Sequence, residues 1–151
     1  MVRLGIGIYG VSALPQVKLS PAASFKCKVL QIKSLNQSDG TIGYGRHGKI
    51  ASDGTVLATI PVGYADGVDR HLSRGKASFL LNGHRVPTIG NICMDVCMID
   101  VTDIEDVSEN DTVTIFGDEL TISLLAEKTN TIPYEILTGV SARVKRVYYQ
   151  E

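Results

Sequence analysis

Short apolar runs alternate with turn-forming clusters along this chain, and a sustained apolar period of 3.6 residues is almost absent. Residues 4–9, 24–33, 56–62, 77–81, 96–101 and 112–116 are rich in β-branched or other apolar side chains and are read as strands. Ser38-Asp39-Gly40, Ser52-Asp53-Gly54 and Asn82-Gly83 are the turn candidates, because Gly and Asn take positive φ at little cost. Asn82-Gly83, set between FLL and HRVPTI, is the strongest hairpin signal. Helix is predicted where Thr121-Ile122-Ser123 leads into LLAEKT, with Ser123 as the capping residue. Pro133 opens a second short helix, since the first helical turn tolerates a missing N–H. VKRVYY, after Arg143, reads as a closing strand. The pattern predicts one mainly β domain, a closed or nearly closed barrel, with one or two short helices near 121–138.

Composition narrows the function. The 151 residues suit one domain, and 44% hydrophobic with 21% charged residues is an ordinary globular balance. A net charge of -1 lacks the basic footprint of a nucleic-acid binder. The longest nearly apolar stretch, Leu4 to Pro15, is too short to span a membrane. It also imitates a signal peptide only loosely, since its glycines and tyrosine suit a strand and turn better. Cys27, Cys93 and Cys97 form no paired spacing, so reduced thiols and a cytoplasmic setting are expected, without a metal site. His47, His71 and His84 are scattered and read as structural or surface residues.

No phosphate loop, HExxH or nucleophile elbow is present. What stands out is a set of polar and aromatic residues inside Gly-rich apolar segments: Tyr9, Tyr44, Tyr64, Asp66, Asp95 and Tyr134.

The segments RLGIGIYG (3–10), IGYGR (42–46), TIPVGYADG (59–67), GNICMD (90–95), and TIPYEIL followed by SARVKRVY (131–148) resemble, in that order, the C-terminal part of alanine racemase. That family is pyridoxal-phosphate-dependent and interconverts L- and D-alanine for cell-wall peptidoglycan. The resemblance implies a Greek-key-like β-barrel over residues 11–151, with residues 1–10 as the last strand of a preceding (β/α)8 barrel. It also implies a cytoplasmic homodimer, with no nucleic acid or membrane partner.

By the same resemblance, Tyr44 falls where the family has its second catalytic base, reaching into the partner subunit's site. A phenol, ordinarily with a pKa near 10, needs cationic neighbours to act as a base near neutral pH. Arg3 matches the arginine on the cofactor's pyridine nitrogen, and Gly5 and Ile6 the backbone N–H groups that hold its phosphate. Met94 matches a residue whose backbone N–H meets the substrate carboxylate. Tyr64, Arg70 and Asp95 resemble the lining of the substrate corridor, while Asp66 is expected to bond the tight GYADG backbone.

Two positions depart from the family pattern. Asn91 stands where arginine is common, so one corridor charge is missing. Ala142 stands where alanine-specific enzymes usually have a tyrosine that touches the phosphate and crowds the substrate methyl. The second change makes a serine-accepting racemase of the glycopeptide-resistance type the enzymatic alternative. A non-catalytic β-barrel binding or assembly module is the alternative from another class. The chain on its own is expected to be inactive, because no lysine in it has the family's Schiff-base context.

Overall fold

The computed structural model describes residues 1–14 and 16–149. Nine strands are followed by two helices: β1 (Phe25–Lys28), β2 (Gln31–Leu35), β3 (Thr41–Ile42), β4 (Gly48–Lys49), β5 (Thr55–Ile60), β6 (Ser78–Leu81), β7 (His84–Ile89), β8 (Cys97–Asp100), β9 (Thr112–Phe116), α1 (Ile122–Thr129) and α2 (Pro133–Gly139). Seven strands form one antiparallel sheet in the order β1-β9-β6-β7-β8-β5-β2. Within it the β6-β7-β8 meander ends with β8 returning beside the earlier β5, a Greek-key arrangement.

The sheet curls because its two ends belong to one bent segment. Residues 24–33, read as a single strand, change partners at Val29 and Leu30. Val29 N–H donates to Asp111 O, and Leu30 N–H donates to Thr59 O, both at 2.8 Å. The first half therefore runs along β9 and the second along β5.

Alternation along the strands sorts the side chains. Phe79 and Leu81 of β6, Val86 of β7, Ile99 of β8 and Val113 of β9 are buried together, capped by Leu125 and Ala126 of α1 and Ile136 of α2. Asn82 and Gly83 have φ of 50° and 81°, the positive values that a two-residue hairpin turn requires, so the β6–β7 hairpin matches its prediction.

A second, smaller cluster sits apart. Ile42 and Ile50 pack with Leu35 of β2 and Leu57 of β5, flanked by Ile89 and Met98. It anchors the β3–β4 ribbon, which is only two residues long on each side and escapes a reading of strand pattern.

Four local expectations are corrected. Residues 4–9 form a 3-10 turn over Gly5–Tyr9 rather than a strand, bracketed by Gly5 (φ 55°) and Gly10 (φ 83°), with no buried residue to seat it in a sheet. VKRVYY is not a strand either. The Arg146 guanidinium donates to the carbonyls of Val140, Ser141 and Val144, curling that backbone and leaving Tyr148 and Tyr149 exposed. Thr121, not Ser123, caps α1: its Oγ1 accepts from Leu124 N–H, and Ser123 lies inside the helix. The single long strand over 24–33 is the bent pair β1–β2. Pro133 does open α2, as predicted.

Because the ribbon has its own cluster, it should loosen separately from the barrel. Ile42→Ala is expected to cost about 2–5 kcal/mol at that site. Hydrogen exchange measured by mass spectrometry should rise over residues 41–49, while β6–β9 keep their protection.

Candidate active site

The six-residue segment Gly90 to Asp95, between β7 and β8, is where the singled-out residues converge. Asn91 is 4% exposed, and both ends of its amide are used. Its Nδ2 donates to Tyr44 O at 2.9 Å, and its Oδ1 accepts from Arg74 Nε at 2.8 Å. Arg74 is fixed in turn by its own N–H, which donates to Gly90 O at 2.9 Å. Asn91 is thus a neutral strut, not merely a missing charge.

Tyr44 sits at the tip of the β3–β4 ribbon, in a 3-10 turn over Tyr44–Arg46. Gly43 and Gly45 on either side have φ of 73° and 74°, a conformation L side chains rarely adopt. These two glycines turn the chain sharply at the intervening residue, and Tyr44 is 76% exposed. The backbone is held and the phenol is presented to solvent.

The GYAD turn packs edge-on against the same segment. Tyr64 N–H donates to Cys93 O and Ala65 N–H to Met94 O, both at 3.0 Å. A Cβ at Gly63 would come within 2.3 Å of Cys93 O, so this contact needs glycine. Asp66 fulfils its expected role, with Oδ2 accepting from Gly63 N–H at 2.8 Å. Its other oxygen accepts from Arg143 Nε at 2.7 Å, and Arg143 Nη2 reaches Asp95 Oδ1 at 2.7 Å. The two carboxylates push the guanidinium's pKa up, so Arg143 stays charged and ties both turns to the segment after α2. Ala142, exposed, is the preceding residue.

Ser73 supplies a further tie. Its hydroxyl donates to Arg70 O at 2.6 Å and accepts from Ile92 N–H at 2.9 Å. Tyr64 and Arg70 then face an open cleft of about 440 Å³ with Glu135, Ile136 and Gly139 of α2. The Met94 side chain is exposed beside them.

Sequence reasoning brought Tyr44, Tyr64, Arg70, Met94, Asp95 and Ala142 forward, and all lie on or next to this framework. It missed Arg74, whose only sequence signal is the adjacent Gly75, and Arg143, which lies inside the quoted SARVKRVY segment but is given no role by the resemblance. Burial pushes the Cys27 thiol up to about 12 and also raises that of Cys97, so neither is a nucleophile near neutral pH.

Arg3, Gly5 and Ile6 lie at the exposed start of the chain. Ile6 N–H donates to the Tyr134 hydroxyl at 2.7 Å. A Cβ at Gly5 would lie 2.6 Å from that oxygen, so glycine leaves a notch beside a backbone N–H. An oxygen atom already fills that notch, which fits the approach of a phosphate oxygen.

Removing the strut tests this geometry. Asn91→Ala leaves Tyr44 O and Arg74 Nε without their partner, which should cost about 1–3 kcal/mol. Amide exchange should quicken at residues 44–46 and be far less affected in β6 and β9. Uniform protection loss across the chain would contradict a local strut.

The family described as "Alanine racemase, C-terminal domain" matches residues 22–148. The alanine racemase 2 of Caldanaerobacter subterraneus subsp. tengcongensis is 42% identical over 156 residues, covering 98% of this chain and 39% of that protein. Among solved structures, alanine racemase from Bartonella henselae with covalently bound pyridoxal phosphate superposes with a TM-score of 0.88 at 35% identity, over 96% of this chain and 40% of that one. The Clostridium difficile 630 alanine racemase complexed with cycloserine gives 0.81 at 34% identity, over 93% of this chain and 38% of that one. The chain spans about 40% of the length of the relatives it matches. On residues matched, identity and fold together, the chain belongs to the alanine racemase C-terminal domain family.

Proposed function

We propose that this chain is the C-terminal domain of a pyridoxal-phosphate-dependent alanine racemase, acting in the cytoplasm as a homodimer to supply D-alanine for peptidoglycan. In this reading residues 1–10 complete a preceding (β/α)8 barrel, and residues 11–151 form the domain that leans on the partner subunit. The observation that carries it is Tyr44: its backbone is locked by Asn91 and two left-handed glycines, while its phenol is freely presented.

Pyridoxal phosphate, when bound, supplies the electron sink that acidifies the substrate's α-proton. Racemisation then needs one group to take that proton from one face and another to return it on the opposite face. Tyr44 holds and moves the proton on one face through its hydroxyl oxygen. Cationic groups of the barrel lower the energy of its phenolate, because a free phenol is too weak a base near neutral pH. The Met94 N–H holds the substrate carboxylate, while Tyr64, Arg70 and Asp95 line the entry and keep it narrow. Arg143 is a positioning residue here: through Asp66 and Asp95 it fixes two walls of that entry. Gly5 and Ile6 approach the cofactor phosphate, and Arg3 the pyridine nitrogen. An arginine rather than a carboxylate at that nitrogen tempers the sink and limits side reactions.

A second reading, that the enzyme also accepts serine, is favoured by Ala142, where a methyl side chain replaces a phenol and leaves space beside the substrate side chain.

Tyr44→Phe in the full-length protein should preserve fold and cofactor absorbance while lowering racemisation by several orders of magnitude. The loss should fall mainly on α-proton exchange in one enantiomer, because one of two bases is removed. Deuterium exchange followed separately from L- and D-alanine checks this. Near-normal turnover would instead favour a non-catalytic barrel module. Ala142→Tyr should shift the alanine-to-serine ratio of kcat/KM toward alanine by about tenfold. An unchanged ratio would mean that residue 142 does not set the preference.

A further inference from the structure

Arg74 is held in a backbone conformation that suits it poorly. Its φ is 61°, in the left-handed region that glycine and asparagine enter cheaply and longer side chains rarely do. Gly75 follows in the same region, with φ of 77°. Both residues are pinned: Arg74 N–H donates to Gly90 O at 2.9 Å, and Gly75 N–H donates to the buried Thr88 Oγ1 at 3.1 Å. Strain of this kind persists where the surroundings over-determine it, and it marks a side chain whose placement matters.

The placed group is the guanidinium, whose Nε donates to Asn91 Oδ1 at 2.8 Å. An arginine only donates, whereas an amide has one accepting and one donating end. Arg74 therefore decides which way the Asn91 amide faces: oxygen toward residue 74, nitrogen toward Tyr44 O at 2.9 Å. Asn91 is buried, so an amide turned the other way would leave polar atoms unpaired away from water. A cation on the oxygen also polarises the amide and strengthens the N–H at its far side. Among the described residues Arg74 makes no ion pair, so no carboxylate competes with Asn91 for it.

We propose that Arg74 is a positioning residue for Tyr44. Through the Asn91 amide its guanidinium fixes the Tyr44 backbone, and with it the approach of the phenol to the substrate's α-proton. The inference rests on the racemase reading above, and Arg74 itself touches no reacting atom.

The test follows α-deuterium exchange from L- and D-alanine in the full-length holoenzyme, with the Tyr44 face identified by Tyr44→Phe. Arg74→Gly removes the guanidinium and relieves the left-handed backbone, so the fold is kept. Exchange on the Tyr44 face should fall by about tenfold, the loss of one hydrogen bond to a charged group. Exchange on the other face, and KM, should stay within about twofold. Backbone amide exchange at residues 44–46 should quicken in the same variant, a readout independent of turnover. Arg74→Gly and Asn91→Ala should be non-additive on the Tyr44 face, because both act through one amide. Equal loss on both faces, full additivity, or unchanged amide exchange at residues 44–46 overturns the proposal. A one-face loss in Tyr44→Phe with none in Arg74→Gly overturns it and leaves the racemase reading standing. No one-face loss in Tyr44→Phe overturns the proposal together with the role given to Tyr44.

Discussion

The hydrogen bonds made by residues 90–95 are the constraint on which the rest of this surface depends. Asn91 takes hold of the Tyr44 loop, Ile92 of Ser73, and the carbonyls of Cys93 and Met94 of the GYAD turn, while Asp95 meets Arg143. The segment lies between β7 and β8, adjacent strands whose buried residues Val86, Cys97 and Ile99 fix its two ends. A stiff sheet thereby positions a stretch without regular structure, which is how an irregular loop can present side chains in reproducible places. Bonds inside this network are shielded to different degrees. Asp66 is buried and Asp95 is not, so the Arg143–Asp66 half of the bridge resists screening by salt more than the other half.

Much of the fold was legible because strands that bury one face advertise it. FLL-NG-HRVPTI shows both the alternation and the turn, and the β6–β7 hairpin follows. The same signal misleads where apolar residues do not face a core. LGIGIY has strand-like composition, yet none of Gly5–Tyr9 is buried, and its glycines instead take a tight turn. VKRVYY fails for another reason: Arg146 finds three carbonyls nearby, a tertiary event that no local pattern encodes. The Thr121 cap was missed by two positions, a boundary matter decided by which hydroxyl reaches Leu124 N–H.

The candidate site divides in a similar way. Tyr44, Tyr64, Met94 and Asp95 could be picked out because motif resemblance carries residue identity. The supports could not, because they are defined by contacts between distant positions. Asn91 is the clearest case. Read against the family it is an absent charge, whereas in the fold it is a buried amide with both ends paired. Arg74 and Tyr134 gain their meaning only from partners 17 and 128 residues away.

The bent segment that joins β1 to β2 carries a consequence for how the molecule is made. β1 pairs with β9, so its partner strand is translated more than eighty residues later, and the barrel stays open at that seam until then. A strand waiting so long with a free edge invites pairing with other chains. Lys26 and Lys28 lie exposed along the waiting strand and place positive charge where a second copy would have to dock. Those lysines guard the nascent chain during the interval in which its proper neighbour does not yet exist.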